Sequence, residues 1–599
     1  MDQNSFCGVD RNDPMRPLYT GVFEKEVTVG GVSRKYLVYI PEGARPSTAG
    51  LFLLPENGKT AEDMFEEGTW RYIADSEETK EKLILFILEP VNGRWNTEEP
   101  YGVPDGDVAY VNAVWIRGCE RFQFCVHESK FYLAGFREGG QIAQKAAMDN
   151  PAVWAGIAAV GASYVEKDYT DRASRDYCTV LDGFEDPAHR KNIRKGEIPM
   201  PAFIVKDPDV EKQNGRTDMT DYWKASCGIT ENGHLISPSV TEYVRSAEAP
   251  YSPNQEREAF RVWDAEIPGS SENFASKYAR LIWKGFLYHQ RRWMSGPGGD
   301  LRVTKDPVAD LHMEYHYDVI DGWRREWYVY VPQAVRDNPE RPVPVVFAIH
   351  GYTCSGEIYA GNSEWYKVAD RYGFIVVHPS AVPGTTDTKT QASDPGYMPL
   401  PAWNFSHALP DGPDENRFFR ELLRRVGEEH AVDRTRVYVT GHSHGSLMTQ
   451  VLALTETGLF AAAAPCSGVM DMAGYDVSLL PDIQNRVRME IPVWMFAGEM
   501  EEWLLPHDLT DENSAGRSVR FWRSNNGITP EIPDDWNAGW NVYGRWHDYF
   551  CKNAEGVETV RFTWVEYMPH ATMTEMSFRI WEEFFSRFSR VDGKIICRS

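Results

Sequence analysis

In the run RVYVTGHSHGSLMTQVLAL, residues 436–454, Ser443 stands between two histidines and two glycines. A serine on a tight turn between a strand and a helix projects its hydroxyl above the strand end, and the flanking glycines let backbone and helix pass closely. The N–H of the next residue, His444, then points from the helix N-terminus at any oxyanion that develops there. Such a serine needs a base, and the histidines downstream of it are His507, His547 and His570. His570 closes VRFTWVEYMPHATM, a strand running into a loop before a helix, which is where the base is expected; His507 is second and His547, in GRWHDYF, reads as structural. The acid should follow the preceding strand, and IPVWMFAGEMEEWLLP offers Glu499, Glu501 and Glu502, with Glu501 better spaced and Glu502 the runner-up. Asp471 and Asp482 fit less well. A second oxyanion donor is expected from the N–H of Tyr352 after the His350-Gly351 turn in VVFAIHGYTCSG, where Gly351 lets the backbone approach. The chemistry these residues imply is attack on a carbonyl through an acyl-enzyme.

His350, His442, Trp403 and Trp540 are the candidate residues lining a substrate cleft. His442 and His444 are too few for a metal: no third ligand stands at a recognisable spacing. Neither metal nor cofactor is expected.

The elements that must position these groups alternate. PVVFAIHG and GFIVVHPS are continuous apolar strands, ENRFFRELLRRVGEEH has helical periodicity, and RVYVTG is again a strand. This βαβ order predicts a mostly parallel sheet flanked by helices. With the strand–Gly-x-Ser-x-Gly–helix motif it predicts an α/β-hydrolase fold.

The chain also repeats itself, with segments about 300 residues apart matching in the same order. RKYLVYIP (34–41) matches REWYVYVP (325–332), WRYIAD (70–75) matches WYKVAD (365–370), FYLAGFREGG (131–140) matches VYVTGHSHGS (437–446), and LIWKGF (281–286) matches RIWEEF (579–584). Two tandem domains of the same fold are expected, residues 1–298 and 299–599, with the seam in the turn-forming Ser295–Gly299 run. In the first half Arg137 falls on Ser443, Pro55-Glu56 on His350-Gly351, and Glu272 on His570. An arginine carries no proton it can lose and no nucleophile, so the first half is expected to be non-catalytic. It either packs on the second half as a scaffold or uses Arg94, Trp95 and Arg137 for an anionic or aromatic group; the plainest role for Arg137 is an internal ion pair.

The stretches IHGYTCSGEIYAGNSEWYKVADRYGFIVVHPS, AWNF, VDRTRVYVTGHSHGSLMTQVLA and LFAAAAPCSG together resemble the polyhydroxybutyrate-depolymerase-type esterases, kin of feruloyl and acetylxylan esterases, over most of residues 320–590. The resemblance implies a serine carboxylesterase using Ser443, His570 and a carboxylate near position 501. The chain departs from the pattern in carrying glutamate where these esterases usually have aspartate.

Composition narrows the partners. With 599 residues, 42% hydrophobic and 25% charged, the chain reads as globular and multidomain. A net charge of −25 repels phosphate backbones and anionic lipid, so no nucleic acid and no membrane is expected as partner. The opening MDQNSFCGVDRNDP lacks an apolar signal core, which places the protein in the cytoplasm by default, or outside the cell if a leader has been removed. The nine cysteines form neither a disulfide framework nor a zinc spacing, although Cys119 and Cys125 are close enough to pair. The expected substrate is a small or polymeric ester, of the feruloyl, aryl or hydroxyalkanoate type given the aromatic run DDWNAGWNVYGRWHDYF at 534–550. A non-catalytic carbohydrate- or polymer-binding protein built from two hydrolase folds is the alternative, and a peptidase on the same fold is a third reading.

Overall fold

The computed structural model describes residues 9–598 apart from 18, 80, 120–125, 165, 182–189, 209–218, 248–255, 267–277, 294–297, 383–399, 406–411, 473, 502–504, 507 and 530–538. Runs such as TAGLFLL and VPVVFAI are buried at every position, as strands must be when helices cover both faces of a sheet.

The first half builds a ten-stranded sheet from β1 (Gly21–Val29), β2 (Val32–Ile40), β3 (Thr48–Leu54), β4 (Leu83–Leu88), β5 (Val126–Phe136), β6 (Gly156–Val160), β7 (Ala202–Lys206), β8 (His234–Ser237), β9 (Val240–Val244) and β10 (Arg261–Glu266). The second half builds another from β11 (Glu314–Ile320), β12 (Trp323–Tyr330), β13 (Val343–Ile349), β14 (Ile375–Pro379), β15 (Val432–His442), β16 (Ala462–Cys466), β17 (Val493–Gly498), β18 (Asn541–Tyr543), β19 (Trp546–Lys552) and β20 (Glu558–Val565). The spatial orders are β1-β2-β4-β3-β5-β6-β7-β10-β9-β8 and β11-β12-β14-β13-β15-β16-β17-β20-β19-β18. Adding ten to each label turns one into the other. In both, the central strands run parallel and the outer ones are antiparallel. Both halves are α/β-hydrolase folds.

The likeness reaches single residues. In each sheet the long central strand ends in a turn and enters a helix, α1 (Glu138–Asp149) after β5 and α3 (His444–Thr455) after β15. Glycines make this tight passage: a Cβ on Gly135 would lie 2.4 Å from the Gly139 carbonyl oxygen, and one on Gly441 would lie 2.4 Å from that of Gly445. The sheet is covered by helices such as α2 (Glu415–Glu429). Asp414 caps its first turn by accepting from the Arg417 N–H, and Phe418, Phe419, Leu422 and Val426 turn one apolar stripe inward. At its start Glu415 pairs with Arg325 at 2.8 Å, both buried.

The expected seam at 298/299 falls inside a hairpin. Gln290–Trp293 pairs antiparallel with Asp300–Val303, just as Phe588–Val591 pairs with Lys594–Cys597 at the end of the second half. The two hairpins are seated alike: the Tyr132 hydroxyl donates to the Gln290 carbonyl at 2.6 Å, and the Tyr438 hydroxyl to that of Phe588 at 2.8 Å. A run of turn formers reads the same in sequence whether it closes a hairpin or links two domains. Cys125 lies outside the described residues, so the 119–125 pair does too; Cys178, Cys227, Cys466, Cys551 and Cys597 are free thiols. Among the described residues no helix is long and apolar enough to cross a membrane.

Position 445 tests the tight passage. A Cβ there would meet the carbonyl oxygens of His350 and Ile349 at 2.4 Å. Gly445→Ala is expected to lower stability by about 1–3 kcal/mol, read as a lower melting temperature. Gly458→Ala, where a Cβ meets nothing within 4 Å, should leave it unchanged.

Candidate active site

Ser443 lies where β15 gives way to α3, at φ 55° and ψ −117°. This left-handed backbone is unfavourable for a residue with a Cβ and persists only where its surroundings hold it. Three contacts hold it here. The Ser443 N–H donates to the Cys466 carbonyl at 3.0 Å, and the Ser443 carbonyl accepts from the N–H groups of Ser446 and Leu447 at 2.8 and 3.2 Å.

His570 and Glu501 meet this serine. The strand β20 ends at Val565, and the loop that follows brings His570 Nε2 to 2.8 Å from Ser443 Oγ. His570 Nδ1 is hydrogen-bonded to Glu501 Oε2, whose side chain is fully buried after β17. The loops that carry His570 and Glu501 are laced together. The Glu501 Oε1 accepts from the Gly498 N–H at 2.5 Å, the Glu499 carboxylate accepts from the Tyr567 N–H at 2.8 Å, and the Met500 N–H donates to the Met568 carbonyl at 3.0 Å. A Cβ on Gly498 would stand 2.2 Å from the Met568 oxygen, so only glycine lets the two loops pass. Ser467 Oγ donates to the Ala571 carbonyl at 3.0 Å and ties the histidine loop to the end of β16. Glu502 and His507, the second choices for acid and base, lie outside the described residues. His547 is elsewhere, bonded to Glu566 at 2.8 Å and stacked on Trp564 with ring centres 3.7 Å apart.

The turn after β13 backs onto Ser443: a Cβ on Gly351 would lie 3.3 Å from Ser443 Cβ and 3.0 Å from His442 Nδ1. This puts the Tyr352 backbone beside the serine and opposite the start of α3 at His444. Tyr352, Ser443, His442 and His570 border one small cavity of about 40 Å³, with Thr353, Cys354, Tyr359 and Asn362.

Two of the residues expected to line the cleft face inward instead. His350 is fully buried: its Nε2 accepts from the Ala381 N–H at 2.9 Å and its Nδ1 is 2.7 Å from the Gly351 carbonyl. The Trp403 indole N–H donates to the His350 carbonyl at 2.9 Å, and its ring is buried in the core. Both brace the turn at His350 and Gly351 from behind. Trp540 is also misplaced by the sequence reading, since it packs on Tyr549 and Phe562 at the far edge of the sheet. His442 does reach the cavity, its ring 4.8 Å from that of His570. The side chain of His444 turns away, with Nδ1 accepting from the Trp403 N–H at 3.2 Å and its ring against Phe405. Burial pushes His444 down to about 3 and His350 down to about 4, so both are neutral spacers rather than bases or ligands. The sequence reading missed Tyr359 and Asn362, and it missed His127 and Glu128, which border the same cavity from the first half.

In the first half the same turn holds Arg137, at φ 47° and ψ −115°, with its N–H donating to the Val160 carbonyl at 2.8 Å. Its guanidinium pairs with Glu56 at 3.0 Å, the residue standing where Gly351 stands, and reaches Asp207 after β7 at 4.0 Å. Arg137 thus makes an internal ion pair with Glu56. Trp95 is buried with its N–H on the Pro55 carbonyl at 2.7 Å, the counterpart of Trp403 on His350. Glu272 lies outside the described residues.

Comparison with known proteins adds the following. Residues 415–492, spanning α2, β15, the serine turn, α3 and β16, match the Prolyl oligopeptidase family. The chain is 34% identical over 144 residues to acetylxylan esterase A of Aspergillus ficuum, covering 24% of this chain and 42% of that protein. It is 34% identical over 160 residues to acetylxylan esterase A of Talaromyces purpureogenus, covering 26% and 37%. The match therefore spans about two fifths of the curated relatives' length. Among solved structures, an acetyl xylan esterase from Aspergillus awamori aligns over 46% of this chain and 98% of its own, at 18% identity and a TM-score of 0.34.

Two outcomes are expected. Glu501→Gln should lower kcat by roughly 10³–10⁴, the scale on which an orienting carboxylate acts, with binding of substrate retained; steady-state kinetics on an activated ester reads it. The second concerns pH. Burial holds His350, His378 and His444 neutral in the folded chain down to about pH 4 or below, whereas in the unfolded chain each takes up a proton near pH 6.5. Below about pH 6.5 the unfolded state binds more protons, so stability falls as pH falls toward 4. His378→Leu should flatten this limb by about 1.4 kcal/mol per pH unit, measured by urea unfolding at pH 7, 6 and 5.

Proposed function

We propose that the chain is a serine hydrolase of carboxylic esters. The observation that carries this reading is the unbroken run of hydrogen bonds from Glu501 through His570 to Ser443 at the carboxyl end of a central parallel strand. Ser443 Oγ attacks the ester carbonyl while His570 Nε2 takes its proton. The carbonyl oxygen becomes an oxyanion facing the N–H groups of Tyr352 and His444. Glu501 holds the imidazole in the tautomer with its proton on Nδ1 and stabilises the imidazolium. His570 then protonates the departing alkoxide, leaving an acyl-serine. Water, deprotonated by the same imidazole, attacks this acyl group and releases the carboxylic acid. Every step uses groups the chain itself supplies.

The ester we favour has a short acyl group. The relatives named above are called acetylxylan esterases, which supports acetyl over the feruloyl or hydroxyalkanoate groups expected from sequence. We read the first half as a non-catalytic domain that ends after Val303, with the hairpin that closes it, and the second half as the esterase domain. A second reading, cleavage of peptide amides, rests on the match of residues 415–492 to the Prolyl oligopeptidase family.

The test is a panel of p-nitrophenyl acetate, acetylated xylan, methyl ferulate, a hydroxybutyrate oligomer and a peptide p-nitroanilide. Turnover is expected on the acetyl esters, falling by roughly 10⁴–10⁶ in Ser443→Ala. Cleavage of the anilide alone would support the peptidase, and polymer binding without turnover of any substrate would support a non-catalytic binder.

A further inference from the structure

Away from Ser443, one cluster of metal-ligating side chains takes no part in the chemistry above. It lies where the edge strand β11 meets the end of α2, with β12, β14 and β13 standing between that strand and β15. Glu314 and His316 are two residues apart on β11 and so point to the same face. Glu429 is the last residue of α2, and His430 follows it.

The fold brings these four together. Arg425 lies one turn before Glu429 on α2, and positions four apart share a helix face. The Arg425 guanidinium donates to Asp318 of β11 at 2.6 Å and lies 5.5 Å from the centre of the Trp327 ring on β12. This seats the end of the helix on the two outermost strands. Trp327 pairs across the strands with His316, and the two rings stack nearly parallel with centres 5.1 Å apart, which orients the imidazole. His430 Nε2 is 3.0 Å from Glu314 Oε2, while Glu314 Oε1 is held by Arg336 at 3.0 Å.

The spacing is that of a cation site. One ligand atom each from Glu314, Glu429 and His430 lie within 4.8 Å of one another. His316 Nε2 lies 3.8 Å from Glu429 Oε2, too far for a hydrogen bond. That nitrogen is buried and has no hydrogen-bond partner among the described residues. A buried nitrogen left without a partner is costly, and coordination to an ion would satisfy it. Bonds of about 2.0–2.1 Å in a tetrahedron put neighbouring ligand atoms about 3.3 Å apart, so small side-chain movements close these spacings on one ion. Two carboxylates balance a divalent charge, and the imidazoles select zinc over calcium or magnesium, which take oxygen.

The first half has the same strand pair without the ligands. Tyr36 and Val38, which match Trp327 and Val329, pair with Lys25 and Phe23 where the second half has His316 and Glu314. The repeated fold therefore does not require the cluster.

We propose that Glu314, His316, Glu429 and His430 form a zinc site that ties the edge strand β11 to the end of α2. The ion is structural, since protein fills all four positions and leaves none for water or substrate.

Zinc alone is the probe. The full chain, stripped with EDTA, is titrated with zinc at neutral pH by calorimetry, and X-ray absorption at the zinc edge reads the ligands. One ion per chain is expected, bound with a micromolar or tighter Kd, in a shell of four nitrogen and oxygen atoms that includes two imidazoles. The melting temperature should rise with zinc and not with equal magnesium. His316→Ala and His430→Ala should each weaken binding by roughly tenfold or more, the scale on which even an outer partner of a ligand acts. Glu429→Gln, at an exposed position, should do the same, with a melting curve in EDTA like that of the wild type. No binding, binding that all three variants leave unchanged, or sulfur in the zinc shell, which would put the ion on cysteines, would each overturn the site.

Discussion

The turn at position 443 is the constraint from which the rest of the site follows. Its backbone sits at φ 55° and ψ −117°, a conformation that costs of order 1–3 kcal/mol and relaxes unless neighbouring structure prevents it. Prevention comes from crowding. Gly441 and Gly445 bring strand, turn and helix within a distance that admits no Cβ, and the carbonyls of Ile349 and His350 press on the helix from the adjacent strand. Once the turn is fixed, position supplies the surroundings of the serine: α3 begins at the next residue, and the turn that follows β13 passes beside it.

The first half shows what survives when that constraint is kept and the chemistry is removed. Arg137 adopts almost the same backbone angles as Ser443, its glycine neighbours are as crowded, and Trp95 bonds to the preceding turn as Trp403 does. The fold therefore does not depend on the nucleophile. What differs is the electrostatics: a guanidinium held by Glu56 and Asp207 occupies the ground where a neutral hydroxyl, a glycine turn and an imidazole meet in the second half. An ion pair with partners after β3 and β7 is a stable use of a turn that must exist for packing reasons.

Much of this was legible in the sequence because the signals are local. The glycine spacing around Ser443 and Arg137, the apolar strands that end just before His350 and Glu499, and the order of serine, acid and histidine each leave a mark within a few residues. The repeat was legible because both halves keep the same core aromatic residues. Three things were not legible, for different reasons. The inward direction of His350 and Trp403 is set by hydrogen bonds to Ala381 and to the His350 carbonyl, partners 31 and 53 residues away in the chain. The pairing around Ser295–Gly299 was not legible because that run has the composition of a linker while its flanks pair as a hairpin. The approach of Glu128 to Ser443 joins residues of two domains, and nothing in the local pattern HESK announces it.

The central claim is that Ser443 Oγ is the activated nucleophile, made so by His570 and Glu501. The most direct measurement is treatment of the folded chain with an alkyl fluorophosphonate, followed by peptide mass spectrometry with fragmentation to locate the adduct. The account predicts one phosphonyl group per chain, carried on Ser443. An unlabelled chain, or label placed on another residue while Ser443 stays unmodified, would contradict it.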